Sequence, residues 1–405
     1  MTYVPTIHEL RSQLQRHLPA AVELRKDLHA NPQLGGTEAG TAEQLAALLG
    51  MPSAPSIKDG RILRFGPQEG PAVALRAELD ALPITEETDV SWASTNGAMH
   101  ACGHDVHMAA LYAAILTLRE TAPDLPVVAL LQPREEVYPC GAVDLLAAPE
   151  WAEANIGAVI GAHTQPRLAS GDISAAEGPV NASADEFEIR ITGHGGHAAY
   201  PHLVNDPVVA AAAVVSALQQ IVSRTADPMT PAVVSIGSIH GGSSANVIPD
   251  EVSLRGTVRS FSSKQRRQIL TQLTDITQGV SAGYRCSSQV AISDGEPVLE
   301  NDRDLIHGAR HMLTELGYDL ETELRSCGAD DFAYYCEVVP SAMIFVGVGT
   351  GASAEPGLHH AKFLPTDNAV GHVAEALLAG FLSAQQHLTI PTEVDDFLSM
   401  NSEPS

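Results

Sequence analysis

Five short segments carry the residue types that bind metals and move protons. Met99-His100-Ala101-Cys102-Gly103-His104-Asp105 sets a thiol and an imidazole two residues apart. In an extended or turning loop that spacing puts both side chains on one side. Gly103 lets the backbone pass close to whatever they hold. Asp105 reads as an N-cap for the helix that follows, whose N-terminus favours a thiolate at Cys102. The other four segments follow short apolar runs. Glu78 and Asp80 come after residues 73–77, and Glu135 and Glu136 after 127–132. His163 comes after 158–162, and His359 with His360 after 343–348 and a glycine-containing loop.

A thiolate, imidazoles and carboxylates together suit Zn²⁺, and less strictly Mn²⁺ or Co²⁺. Their number exceeds the four ligands of a structural zinc site, which points to two divalent ions per chain. Glu135 and Glu136 are adjacent, so on an extended strand they face opposite ways. One can ligate while the other faces the water as a general base.

These segments need a frame. Residues 8–29 carry Leu10, Leu14, Leu18, Val22, Leu24 and Leu28 at helical spacing, and Asn31-Pro32 stops that helix. A second helix fits 37–49, with Gly50 past its end. Further helices fit 105–120, 141–148, 302–316 and 366–386. The apolar runs between them read as strands of a sheet covered on both faces. In such sheets ligands bind beyond the carboxyl ends of the strands, where the acids and imidazoles fall.

Residues 180–291 read differently. Polar and apolar residues alternate over 186–191 and 251–259, helices fit 206–223 and 262–284, and strands fit 232–239 and 288–292. The order β-α-β-β-α-β is that of a ferredoxin-like module. The expected fold class is therefore α/β. An α/β/α catalytic domain with a mixed, largely parallel sheet spans 1–179 and 292–390. An α+β ferredoxin-like module is inserted at 180–291. The acidic, serine-containing stretch 391–405 reads as a loosely ordered tail.

Of 405 residues, 49 are Asp or Glu and 23 are Lys or Arg, for a formal net charge of −26. That balance argues against nucleic acid or an anionic membrane as partner. Five cysteines, an odd and sparse count, indicate a reducing compartment. The N-terminus has no basic stretch leading into an apolar one, and no apolar run reaches the ~18 residues of a membrane span. The longest runs from 208 to 218. A cytoplasmic location is expected.

At these residues the chain resembles the metal-dependent aminoacylase/carboxypeptidase family. Its nearest branch contains hippurate hydrolases, N-acetyl amino acid deacetylases and auxin-conjugate hydrolases. The matching stretches begin with Asp27-Leu28-His29-Ala30-Asn31-Pro32-Gln33-Leu34-Gly35, Leu75-Arg76-Ala77-Glu78-Leu79-Asp80-Ala81-Leu82-Pro83 and the Cys102 segment. They continue with Gln132-Pro133-Arg134-Glu135-Glu136, Gly195-Gly196-His197-Ala198-Ala199, Asn246-Val247-Ile248-Pro249-Asp250 and Asp330-Asp331-Phe332-Ala333-Tyr334-Tyr335. The resemblance implies that Cys102, His104, Glu136, His163 and His359 ligate two divalent ions, Zn²⁺ first and Mn²⁺ or Co²⁺ as alternatives. It makes Glu135 the general base and puts Asp80 behind the ligands. It gives His197 an oxyanion-stabilising role, often across a dimer interface in such families. Asn246 and Arg259 would grip the substrate carboxylate. The implied activity is amide hydrolysis of N-acyl or N-aroyl amino acids by a metal-bridging hydroxide. The implied assembly is a homodimer formed through the inserted module, a dimerisation or lid domain. Carboxypeptidase or dipeptidase action on short peptides, and a catalytically idle acyl-amino-acid binder, are the alternatives.

The chain departs from the family pattern in three places. Glu78 stands where Asp is usual. Arg134 and Val137-Tyr138-Pro139-Cys140 flank the Glu pair where small residues are usual. Leu358-His359-His360-Ala361 replaces Leu-His-Ser-Pro, so His360 competes with His359, which the alignment favours. His107 shares a helix face with His104 but suits packing or capping better.

Overall fold

The computed structural model describes residues 3–320, 323–351 and 356–389. The tail expected at 391–405 lies outside the described residues. Contacts divide the chain into two compact units. One comprises Met1–Gly178, Asn301–Leu324 and Tyr334–Ser405; the other comprises Pro179–Glu300 and Arg325–Ala333.

The first unit opens with helix α1 (Ile7–Ala30), started by a capping box in which Glu9 N donates to Thr6 Oγ1 and Thr6 N to the Glu9 carboxylate. Then come α2 (Ala39–Leu48), β1 (Arg61–Phe65), β2 (Ala72–Glu78), α3 (His104–Thr121) and β3 (Val127–Gln132). They are followed by α4 (Gly141–Ala147), α5 (Pro149–Glu153), β4 (Ile156–Ala169) and β5 (Ile173–Ser174).

The second unit holds β6 (Gly178–Asn181), β7 (Ser183–Thr192), β8 (Gly196–His197), α6 (Pro207–Gln220), β9 (Ala232–His240) and β10 (Val247–Ile248). It continues with β11 (Glu251–Ser260), α7 (Ser263–Gly283), β12 (Ser287–Asp294) and β13 (Leu299–Asn301). Its four-stranded sheet has the order β12-β7-β11-β9 with every pair antiparallel. Helices α6 and α7 pack on it around Phe187, Ile189, Val214, Leu254, Ile269 and Leu273. That is the ferredoxin-like connectivity.

The chain returns to the first unit through α8 (Arg303–Glu315), the short α9 (Ala333–Cys336), β14 (Ser341–Gly349) and α10 (Asn368–Thr389). The sheet of this unit has the order β1-β3-β2-β4-β14-β5. Its centre is parallel, and β1 and β5 close the edges antiparallel. Every residue of β2, β3 and β14 is buried, which explains the apolar runs at 73–75, 127–131 and 342–346 within them. Helices α3 and α10 lie on this sheet and α1 covers both.

Three expectations change. β4 runs on to Ala169, so His163 sits inside a strand and not past its end. The residue preceding α3 is Gly103, at φ +87°, and Asp105 is a buried first-turn residue, not the cap. A left-handed backbone there excludes most side chains, so glycine takes the position. Finally, α6 continues through a short π-helix, and the helix Pro207–Thr225 has the length and composition to cross a membrane. The helix extends past the apolar run because Gln219 and Gln220 do not break it. Ala210, Ala211, Val214, Leu218 and Ile221 of this helix pack into the second unit's core.

Candidate metal centre

In the first unit the loop after β2, the loop before α3, the turn after β3, strand β4 and the strap before α10 bring their polar residues together. His104 donates Nδ1–H to the Asp80 carbonyl at 2.8 Å, with the Asp80 carboxylate at 3.6 Å. That bond aims Nε2 the other way, toward Glu135 Oε2 at 3.9 Å. His163 Nδ1 faces its neighbour's carbonyl, Thr164 O, at 2.8 Å, and its Nε2 lies 3.6 Å from Cys102 Sγ. His359 Nε2 stands 3.1 Å from Glu136 Oε1. His360 turns away and accepts from Lys362 N at 3.1 Å. Cys102, His104 and Glu136 present ligand atoms within 4.8 Å of one another, as do Glu78, His104, His107 and His163.

Local structure explains the placement. Glu136 N donates to Asp80 Oδ2 at 2.9 Å, which ties the β3 turn to the β2 loop. Arg134 N donates to Glu38 Oε1 at 2.7 Å, and its guanidinium pairs with Asp144. His359 sits at φ +62°, a left-handed conformation that costs a β-carbon-bearing residue about 1–3 kcal/mol. Its N–H donates to Ala101 O at 2.8 Å, which ties the strap to the Cys102 loop.

The electrostatics ask for a cation. Burial pushes the Cys102 thiol well above its ordinary value, and the nearby Glu136, Glu135 and Glu78 carboxylates push it further. The thiolate expected from the helix N-terminus is therefore not favoured until a positive charge arrives. Burial opposes protonation of His104, yet the Asp80 hydrogen bond and the fields of Glu78, Asp80 and Glu136 raise it to about 10. Burial would raise Glu136, but the His359 and His104 imidazoles hold it below the usual carboxylate value. Asp80 Oδ1 and His104 Nε2 are buried without a hydrogen-bond partner, and Glu136 Oε1 is buried with only the His359 imidazole beside it. Orphaned acceptors, a thiol and imidazoles fit one or more divalent cations better than protons.

His197, Asn246 and Arg259 belong to the second unit. β8 pairs with β10, so His197 lies opposite Val247, and Ala198 N donates to Asn246 O at 3.0 Å. The exposed His197 accepts from Ala199 N at 3.1 Å. Arg259 is not gathered with this pair. It lies eight residues beyond Glu251 on β11, about 27 Å along the strand.

Residues that sequence reasoning gave no role also brace the site. Arg25 and His29 of α1 reach Asp105 at 3.0 and 3.1 Å. Arg25 also bonds Pro365 O, and His29 bonds Glu86. The available signal was an Arg and a His four residues apart on an otherwise apolar helix face.

The model of peptidase family M20/M25/M40 matches residues 74–379. An N-acetylcysteine deacetylase of Bacillus subtilis is 36% identical over 358 residues, 86% of this chain and 92% of that protein. An N-acetyldiaminopimelate deacetylase of Halalkalibacterium halodurans is 33% identical over 370 residues, 89% of this chain and 98% of that one. Among solved structures, a dinuclear metal-binding peptidase of the M20 family from Bacillus subtilis superposes with a TM-score of 0.79 and 31% identity, covering 92% of this chain and 99% of that one.

Proposed function

This chain belongs to peptidase family M20/M25/M40 and is a hydrolase, and from that premise we propose that it is a dinuclear metal-dependent amidohydrolase of N-acyl amino acids. The observation that carries the proposal is the buried thiol–imidazole–carboxylate cluster with Glu135 on its open side. The names of the relatives, deacetylases of N-acetyl amino acids, favour an acyl amino acid over a peptide.

Cys102, His104, Glu136, His163 and His359 hold the two ions, Zn²⁺ by the softness of the thiolate, with Mn²⁺ or Co²⁺ as substitutes. Such ions, when bound, supply Lewis acidity that polarises the amide carbonyl and acidifies water. Asp80 orients His104 and the Glu136 backbone. Glu135 takes a proton from the attacking water and returns it to the departing amine nitrogen. The products are a carboxylic acid and a free amino acid.

His197 stabilises the oxyanion, and Asn246 and Arg259 hold the substrate carboxylate. In one copy of the second unit Asn246 precedes β10 while Arg259 lies about 27 Å along β11 from Glu251, too far apart to share a carboxylate. Two copies could supply one each, so we place the site in a homodimer formed through the second unit. Five cysteines in 405 residues, an odd and sparse count, fit action in the cytoplasm, with neither nucleic acid nor membrane as partner.

The test is metal-free protein reloaded with Zn²⁺, Mn²⁺ or Co²⁺ and offered N-acetyl and N-benzoyl amino acids beside dipeptides. Two ions per chain and release of free amino acid from the acyl substrates are expected. Saturation at one ion with full activity overturns the dinuclear claim. Hydrolysis of dipeptides alone, or none with any metal, overturns the substrate. Mixing His197→Ala with Glu135→Gln chains restores about a quarter of the sites if His197 acts across the dimer, and none if it acts within its own chain.

A further inference from the structure

Behind Cys102 and His163 lies a buried row of polar side chains that amide hydrolysis as described above leaves without a role. Arg76 and Glu78 occupy alternate positions of β2 and so share one face of the strand. Arg76 is ion-paired to Glu78, and its Nε donates to Gln132 Oε1 at 2.9 Å. Glu78 Oε2 lies 2.9 Å from His107 Nδ1, and His107 Nε2 lies 2.9 Å from Thr164 N. All of these side chains are buried.

The protons along this row follow from chemistry. A backbone N–H can only donate, so His107 Nε2 accepts from Thr164 and carries no hydrogen. The ring proton is therefore on Nδ1 and goes to the Glu78 carboxylate. With Nε2 taken, the Thr164 hydroxyl donates to Cys102 O, at 3.1 Å. On its other side the Thr164 carbonyl accepts from His163 Nδ1 at 2.8 Å. Thr164 also leans on the loop itself, since a β-carbon added at Gly103 would fall 2.3 Å from its Oγ1.

We propose that Glu78, His107 and Thr164 are positioning residues, which orient the 163–164 peptide and the Cys102 carbonyl and through them aim the His163 imidazole and the Cys102 sulfur. The proposal rests on the reading that Cys102 and His163 are metal ligands. His107 itself is no ligand, because both of its ring nitrogens are committed to the protein. Glu78, with one methylene more than Asp, is the charged anchor that holds the ring in this tautomer.

The test uses the full chain loaded with Co²⁺, read by cation affinity, cation stoichiometry and the sulfur-to-cobalt charge-transfer band. Thr164→Val keeps the shape and the N–H but loses the hydroxyl; Thr164→Ser keeps the hydroxyl. Thr164→Val and His107→Leu should weaken cation binding about 10–100-fold and shift the band while the number of bound ions stays unchanged. Thr164→Ser should restore both affinity and band, which a loss of packing alone would not predict. If His107→Leu does not fold, the Val and Ser pair at Thr164 decides. The proposal is overturned if Thr164→Val matches the parent in affinity and band. It is equally overturned if His107→Leu loses one ion per chain, which would make His107 a ligand. Cys102→Ala is the control on the underlying reading. If it leaves the band intact, the ligand assignment fails and this proposal with it; if it abolishes the band while Thr164→Val does nothing, only the positioning role fails.

Discussion

The first unit keeps its candidate chemistry, the half-exposed His359 apart, in a buried corner tied from several directions, whereas the second carries its own on exposed segments tied once or twice. Cys102, His104 and His163 are 5%, 1% and 7% exposed. Each leans on residues from at least one other element. His197 sits on a two-residue strand, exposed, and its one side-chain hydrogen bond among those described comes from two residues away. The contrast follows from the tasks proposed for the two sets. Groups that share cations must be held to a fraction of an ångström before anything binds, because misplacement costs affinity directly. Groups that meet a substrate can be left to adjust, at the cost of ordering them upon binding.

The sharpest way to break this contrast is at Glu135. Its carboxylate lies beside the cluster yet is not needed to complete it. Glu135→Gln should leave the cation content unchanged and lower kcat by about 10²–10⁴-fold. A variant that loses a cation along with its activity would make Glu135 a ligand, and one that keeps its turnover would remove it from the proton path.

The next largest effect is expected behind the cluster. Arg25 is buried against Asp105, and its other bonds reach Asp367 and Pro365. Removing one partner of a buried pair strands the other, so Arg25→Met should cost about 3–5 kcal/mol in chemical denaturation of the metal-free chain. A cost under about 1 kcal/mol would mean that this brace behaves like a surface pair.

Sequence reading names the residues that the structure gathers at the cluster and misses the bracing, for a physical reason. The Cys102 segment, the Glu pair, His163 and His359 are local patterns placed by strands whose apolar runs are continuous. Capping is a local rule and puts Asp105 at the helix end, while its actual partners Arg25 and His29 are 80 and 76 residues away. The apolar run ends at Ala162 and so suggests a strand end before His163, although the backbone ladder with β14 continues through Gln165. Strands of two residues such as β8 and β10 have no period to read, and only pairing across about 50 residues creates them. Thr164 carried no signal at all, since its part depends on a glycine and an imidazole from α3 and the loop before it.

A third outcome separates protons from metal. His104 is raised from 6.5 to about 10, against burial, by its Asp80 bond and the surrounding carboxylates. A folded-state value above the unfolded one means that its stabilisation is fully present below pH 6.5 and disappears as pH rises through about 10. Metal-free protein should therefore lose thermal stability across that range, and His104→Ala should flatten the slope. In the loaded protein a cation replaces the proton, so the slope should be absent there too. Equal slopes with and without metal would show that the cations bind elsewhere.

The smallest effect is expected in the second unit, and it tests whether burial, not charge pairing as such, sets the contrast. Arg190 on β7 faces Glu188 and Glu251 at 3.4 Å, and Arg255 faces Glu188 at 3.2 Å. On paper Arg190 makes two ion pairs, as Arg25 does. The Arg190 side chain, however, is 50% exposed while that of Arg25 is fully buried. Water and counter-ions already solvate the exposed charges, so pairing them gains little and withdrawing one partner strands nothing. Arg190→Met should change stability by no more than about 1 kcal/mol, and that difference should shrink further when salt is raised from low concentration to about 0.5 M. The Arg25→Met loss should keep most of its size under the same change, because its partner Asp105 lies beyond the reach of salt. A salt-insensitive loss of several kcal/mol at Arg190, approaching the ~3–5 kcal/mol expected at Arg25, would mean that the outer face of this sheet is covered in solution, and the contrast between the units would have to be redrawn.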